Sequence, residues 1–364
     1  MSARFLTVVL ERAFNMRDGF GREIDYMRIS VIDSCNLNCY YCNPCDNNEH
    51  CHALNILSVK EVLCIVRAAT RLGIKHFRLT GGEPLLHPQL DEMVLQIKKI
   101  PGVSSVSLTT NAVLLAQHAK WLKEAGIDSI NVSLDTIDAS EYERITKKPL
   151  LEEVKHGINA AIECGIRVKI NVVLTPQTDV VALTRYVAKK GTDIRFIEMM
   201  PVGEGHTNGV EPYKKVIGTL SKLYGEPCRI NTEKTKEINS GNDKRKIPDN
   251  GPAEYYIFPE LGIRVGLIQA IHGKFCATCN RIRVTADGRL MPCLGSSVTM
   301  DLVPDSWDFA DDVEKDFAIV RALRAAIKAK PRCHNFNDNA VTYTKTTETK
   351  TTEIEAAEVN AARN

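Results

Sequence analysis

Residues 28–42 read R-I-S-V-I-D-S-C-N-L-N-C-Y-Y-C: a short apolar strand, Arg28–Asp33, running into three cysteines spaced Cys35-x3-Cys39-x2-Cys42. One unit later a second strand, His76–Thr80, runs into Gly81-Gly82-Glu83-Pro84. The alternation continues. The pattern predicts further strands at Ser104–Thr109, Ser129–Asp135, Arg167–Leu174 and Asp193–Met199. It predicts helices at Val59–Leu72, Leu90–Lys99, Ala116–Ala125, Leu151–Cys164 and Val180–Lys189. Ser58 followed by Glu61 spells a capping box for the first helix, and Gly73, Gly126 and Gly165 stand where helix C-caps belong. Six strands alternating with helices make a parallel α/β sheet, which right-handed crossovers curve into a partial or full barrel. Such folds collect chemistry at the carboxyl ends of their strands. Cys35–Cys42, Gly81–Pro84, Thr109–Asn111, Ser133–Asp135 and Glu198–Met200 all fall there.

The chain has 364 residues, enough for one large domain or two ordinary ones, and its 47 Lys and Arg nearly balance 45 Asp and Glu. That balance gives no electrostatic case for nucleic-acid or membrane binding. The N-terminal M-S-A-R-F-L-T-V-V-L is followed by Glu11 and Arg12, which is not a signal-peptide pattern. No run reaches the roughly 18 apolar residues of a membrane span, so a cytoplasmic protein is expected. Twelve cysteines are many for such a chain, and in a reducing compartment clustered cysteines favour metal binding or catalysis over disulfides.

Three thiolates within eight residues can wrap one corner of a cubane cluster, leaving one iron open to a small-molecule ligand. A zinc site completed by Cys45 or a nearby histidine is the alternative; Cys45, His50, Cys51 and His52 read otherwise as loop residues. A second trio, Cys276-x2-Cys279-x13-Cys293, lies over 200 residues away and lacks the second C-x2-C of a zinc ribbon. Arg281 and Arg283 lie two apart after Cys279, so on a strand they face one way, which reads either as an anion site apt for triphosphate or as a solvated charged strand. Residues 201–255 read as an irregular crossover with a helix near Tyr213–Leu223, and Ile263–Ile271 and Arg281–Thr285 as strands of a smaller unit. The Thr/Lys/Glu/Ala-rich 338–364 stretch has the composition of a disordered tail.

The cysteine loop followed by Gly-Gly-Glu-Pro resembles the radical SAM superfamily. With R-F-I-E-M-M-P-V-G (195–203) and F-C-A-T-C-N-R-I-R-V-T-A-D-G-R-L-M-P-C-L (275–294), the stretch from about Gly21 to His334 resembles the GTP 3′,8-cyclases of molybdenum-cofactor biosynthesis. The resemblance implies a partial (β/α)6 barrel over 21–200 after an N-terminal segment 1–20. A smaller C-terminal α+β domain, 201–337, would carry an auxiliary cluster and close the barrel. It implies two [4Fe-4S] clusters, S-adenosylmethionine (SAM), and conversion of GTP to 3′,8-cyclo-7,8-dihydro-GTP through a 5′-deoxyadenosyl radical. By the same resemblance Cys35, Cys39 and Cys42 hold the SAM cluster, and Tyr41, Gly81, Gly82, Glu83, Ser133 and Met200 attend SAM. Cys276, Cys279 and Cys293 hold the auxiliary cluster. Arg28, Arg78, Thr109, Lys169, Arg281, Ile282 and Arg283 surround GTP, with Arg281 and Arg283 in the catalytic set and Arg195 and Glu198 in the same cavity. A low-potential electron donor, a downstream pterin-forming enzyme and a homodimer are the partners implied, with no membrane or nucleic acid.

The chain departs from the family at Ser34, Ala112 and His76, the last where a substrate-side lysine is usual. It ends N-A-A-R-N where the family tail ends Gly-Gly. These departures leave open a radical SAM enzyme with one auxiliary cluster acting on a peptide or another nucleotide. The cysteine pattern alone leaves open a non-catalytic metal-binding protein.

Overall fold

The computed structural model describes residues 16–42, 56–202, 205–206, 209–230, 251–296, 298–302, 312–334 and 336. Cys45, His50, Cys51, His52, the 338–364 tail and most of the 1–20 segment lie outside the described residues.

Strands β1 (Tyr26–Ser30), β2 (His76–Thr80), β3 (Ser105–Thr110), β4 (Ser129–Ser133), β5 (Val168–Val173) and β6 (Asp193–Ile197) pair in chain order, all parallel. Six short strands follow: β7 (Cys228–Ile230), β8 (Glu254–Ile257), β9 (Arg264–Ile268), β10 (Arg281–Val284), β11 (Arg289–Met291) and β12 (Met300–Asp301). They extend the same sheet at both flanks. β9 adds parallel to β6 and β10 parallel to β1, and the rest continue antiparallel outside them. The order among the described residues is β12-β11-β10-β1-β2-β3-β4-β5-β6-β9-β8-β7.

Helices α1 (Val59–Arg71), α2 (Leu90–Lys98), α3 (Leu115–Glu124), α4 (Ala139–Thr146), α5 (Leu151–Glu163), α6 (Val180–Lys189), α7 (Gly218–Tyr224) and α8 (Asp312–Lys328) accompany the strands. The capping box at Ser58 and Glu61 is formed in both directions. Gly73, Gly126 and Gly165 sit at φ of +85°, +88° and +68°, the left-handed caps that end α1, α3 and α5.

Strand alternation separates core from cavity. Met27 and Ile29, Phe77 and Leu79, Val106 and Leu108, and Ile130 and Val132 are buried on the helix-facing side. Each such side chain contributes about 1.5–3 kcal/mol on burial. The intervening residues Arg28, Arg78, Ser107 and Asn131 face the other way, into a cavity lined from eight successive strands, β10 through β1–β6 to β9. The sheet therefore curves around that cavity. No helix among the described residues is long and apolar enough to cross a membrane.

Two helices go beyond what the sequence pattern predicts. Helix α4 is capped by Asp138, which accepts from the Glu141 N–H at 2.8 Å, and ends in left-handed Lys147 at φ +61°. Helix α8 presents Ile319, Leu323 and Ile327 to the core and is tied to α1 by Arg71–Asp316 at 2.8 Å.

Candidate active site

The first trio follows β1. Asn38 and Tyr40 donate their backbone N–H groups to Thr146 and Ile145 carbonyls at 3.0 and 3.1 Å. The carboxyl end of α4 thus holds the loop on either side of Cys39. From the other flank the Gly81-Gly82 corner presses on the same chain: Gly82 N–H donates to the Ile32 carbonyl and Glu83 N–H to the Ser34 carbonyl, both at 2.8 Å. A side chain at Gly82 would meet the Ser34 oxygen at 2.1 Å.

Glu83 is 1% exposed. Its carboxylate accepts from Leu85 N–H (3.0 Å), the Thr110 hydroxyl (2.6 Å) and Asn111 N–H (2.7 Å). Asn111 in turn donates to Asn36 Oδ1 at 2.7 Å and to Cys35 Sγ at 3.7 Å. Glu83 therefore positions the cysteine loop through Asn111. Burial raises its pKa, opposed by the three hydrogen bonds. Glu83→Gln replaces one acceptor by a donor facing backbone N–H groups, leaving one unpaired. A loss of about 1–3 kcal/mol is expected, read as a lower midpoint in anaerobic thermal unfolding.

Cys35, Cys39 and Cys42 are free thiols. Cys35 and Cys42 reach the surface, yet partial burial raises both pKa values. Glu83 and Cys42 add to the rise at Cys35, and Asp135 at Cys42. Burial, Cys42 and Asp135 push Cys39 higher still. Asp135, at the carboxyl end of β4, is itself pushed up to about 6 by burial, while hydrogen bonds from Tyr41 Oη and Val173 N–H pull the other way. Three thiolates beside a carboxylate call for a cation. An iron core would supply it, since metal coordination deprotonates thiols outright, so the donor set fits a cluster. No three His, Cys, Asp or Glu side chains among the described residues converge closely enough to hold a single metal ion, so this fit rests on donor chemistry.

The second trio lies elsewhere. Cys276 and Cys279 bracket a single turn of 3-10 helix and Cys293 follows β11. All three line the cavity, which encloses about 580 Å³. Its walls carry Arg28, Arg78, Arg167, Lys169, Arg195, Arg281, Arg283 and Lys330 against one carboxylate, Asp128. Strand register explains the crowding: Arg283, Arg28 and Arg78 lie side by side across β10, β1 and β2, with Arg281, Tyr26 and His76 in the next row. Burial and the neighbouring Arg283, Arg78 and Arg281 drive the Arg28 pKa well down. Its Nε is buried without a hydrogen-bond partner, as is Arg195 Nη2. The cavity is built for an anion of several charges.

The residues singled out by sequence divide between the two places. Met200, Arg28, Arg78, Lys169, Arg195, Arg281 and Arg283 line the cavity with the second trio. Gly81, Gly82 and Glu83 gather at the first trio, and Ser133 is exposed where β4 ends. Tyr41 is engaged with Asp135, and Thr109 accepts from Arg78 at 3.3 Å. Ile282 is fully buried in the core and does not line the cavity, unlike Arg281 and Arg283 on either side of it. Glu198 accepts the backbone N–H of Ile271 and His272 at 2.7 and 3.1 Å, steadying the loop that precedes the second trio.

Sequence reasoning passes over Tyr26 and Phe275. Arg281 lies between their rings, 5.8 Å from each centroid, and Arg78 is 5.9 Å from the Tyr26 ring. A signal exists for Tyr26, which stands two before Arg28 on the same strand face.

Residues 29–182 match the family described as Radical SAM superfamily, and residues 192–336 match Molybdenum Cofactor Synthesis C. The chain is 35% identical over 324 residues to the GTP 3′,8-cyclase of Clostridium perfringens strain SM101, covering 88% of this chain and 95% of the relative. It is 37% identical over 328 residues to the GTP 3′,8-cyclase of Peptoclostridium acidaminophilum, covering 88% and 94%. Among solved structures, Streptococcus suis SuiB bound to S-adenosylmethionine shares the fold, with a TM-score of 0.52 at 15% identity over 81% of this chain and 68% of that one.

Proposed function

The chain belongs to the GTP 3′,8-cyclase family of radical SAM enzymes, and from that premise we propose that it converts GTP to 3′,8-cyclo-7,8-dihydro-GTP for molybdenum-cofactor biosynthesis. One observation carries the reading to this chain: the second cysteine trio opens into the same cavity as the arginine rows of β10, β1 and β2.

Cys35, Cys39 and Cys42 would hold a four-iron cluster, which together with SAM would supply the radical chemistry of the family there. The chain's own residues do the rest of what can be derived. Glu83, Asn111 and helix α4 fix the first trio at the strand ends. Arg28, Arg78, Arg281 and Arg283 take a triphosphate and hold the nucleoside by charges remote from the reacting carbons, so binding energy orients the ribose. Tyr26 and Phe275 keep Arg281 in place. The surrounding sheet excludes water from the reaction. A low-potential electron donor, a following pterin-forming enzyme and a cytoplasmic location belong to this reading, as does a homodimer.

The test is an anaerobic assay with SAM, a strong reductant and GTP, following 5′-deoxyadenosine and product mass together. SAM cleavage with no GTP-derived product would keep the radical chemistry and remove the substrate. Arg28→Ala is expected to raise the KM for GTP roughly ten- to hundredfold, the loss of a charged hydrogen bond of about 1.5–3 kcal/mol. It should leave GTP-independent SAM cleavage unchanged. Because the arginines repel one another when the cavity is empty, inorganic triphosphate is expected to raise the unfolding midpoint of the wild type. That effect should shrink in Arg28→Ala.

A further inference from the structure

We propose that Lys330 is the positioning residue of the second cysteine trio, a buried ammonium that ties its two arms together and holds its cluster at a higher reduction potential. The inference rests on the cluster reading of that trio.

Lys330 lies just beyond α8 and is 2% exposed. Its Nζ donates to the Arg281 carbonyl at 2.7 Å and the Pro292 carbonyl at 2.9 Å. The first carbonyl is two residues after Cys279 and the second is immediately before Cys293. One side chain therefore bridges the two segments that deliver the trio, which are separated in sequence by the whole β10–β11 hairpin. The flanking backbone is fastened as well. Arg22 donates to the Pro331 and Arg332 carbonyls at 2.6 and 3.2 Å and, from the same guanidinium, to the Cys276 carbonyl at 2.7 Å. His334 is hydrogen-bonded through Nε2 to the Ala270 carbonyl at 2.8 Å. The segment from 330 to 334 is a strap across all three cysteines.

Burying an ammonium costs several kcal/mol unless opposite charge is near. The two carbonyls satisfy two of its three donors without neutralising it. The thiolates of the trio do both. Three thiolates around an iron–sulfur core carry net negative charge, which grows by one on reduction. A fixed cation beside them stabilises the reduced state and lifts the potential.

The test compares Lys330→Gln with Lys330→Arg in the full chain, reconstituted with iron and sulfide without air. Iron content is read in the otherwise wild-type protein. The potential is read by EPR-monitored titration with Cys35, Cys39 and Cys42 replaced by alanine, so that a single cluster reports. Lys330→Gln is expected to lower the reduced-to-oxidised ratio at the wild-type midpoint by about tenfold, and Lys330→Arg to stay near wild type. Loss of only the second cluster in Lys330→Gln, with the first intact and Lys330→Arg loaded, would equally support the bridging role. Full iron with an unmoved potential in Lys330→Gln overturns the proposal, as does loss of both clusters in both variants, which would make Lys330 a residue of the fold at large. A wild type holding zinc at these cysteines, or only about four irons per chain in all, would instead remove the cluster reading on which the proposal rests.

Discussion

Cys39→Ala is expected to abolish 5′-deoxyadenosine release, whereas Cys279→Ala is expected to abolish the GTP-derived product while SAM cleavage continues. The asymmetry follows from where the two trios sit. Cys39 lies between two backbone N–H groups bound to the end of α4, on a loop pinned by Gly82 and Glu83. Removing its sulfur leaves two protein thiolates, too few for a cubane that already reserves one iron for SAM. Cys279 lines the cavity with the arginine rows, and the first trio does not line it. Losing it would take a ligand from the second cluster beside the arginine rows and leave the residues of the first trio untouched. Iron should fall from about eight to about four per chain in each variant. The decisive readout is the ratio of 5′-deoxyadenosine to product, which becomes unbounded in Cys279→Ala and undefined in Cys39→Ala. Equal loss of both signals in the two variants would mean that the trios form one cooperative centre, contrary to the separate placement.

Much of this arrangement is legible in the sequence because local signals agree. His76–Thr80 and Val180–Lys189 have the same bounds in the sequence pattern and in the structure, each framed by a cap, a glycine or a sharp change of period. Helix α4 escapes the pattern because it is short and follows polar Asp135-Thr136-Ile137-Asp138, which reads as loop. Its signals are the N-cap at Asp138 and the i,i+3 pair Glu141–Arg144. Helix α8 carries an adequate pattern in Ile319, Val320, Leu323, Ala326 and Ile327, yet the α+β expectation for 201–337 names only the helix near Tyr213–Leu223. That smaller unit is expected to close the barrel; within it β9 and β10 join the parallel sheet on either flank, beside β6 and β1, a pairing that only the tertiary structure fixes. Tertiary facts are not legible at all. Nothing local marks Lys330 as buried, and Glu83 reads equally as a ligand contact or a backbone clamp until Thr110 and Asn111 are seen against it.

Gly82→Ala is expected to cost more than any conservative substitution elsewhere in the barrel, and the reason is steric. The φ angle at Gly82 is not in the left-handed region, so an alanine backbone could adopt the conformation. The obstacle is the chain leading to Cys35. An added Cβ would lie 2.1 Å from the Ser34 oxygen, 2.4 Å from the Ser34 carbonyl carbon and 2.5 Å from the Asp33 oxygen. These are backbone atoms, so no rotamer change relieves the contact. The two segments must part by about an ångström, which breaks the 2.8 Å bonds from Gly82 to Ile32 and from Glu83 to Ser34. Overpacking of about 1–3 kcal/mol adds to two lost backbone bonds of about 1 kcal/mol each. The displaced loop carries the first trio, and a shift near 1 Å at a reacting centre can cost about a hundredfold in rate. Gly82→Ala is therefore expected to lose SAM cleavage by at least that factor while retaining the second cluster. Gly218→Ala is the matched control, because a Cβ there meets nothing within 4 Å and its position in α7 favours alanine. Wild-type SAM cleavage in Gly82→Ala would mean that the loop and the Gly-Gly corner are not in contact in solution, and the account of how this fold aims its first cysteines would fail with it.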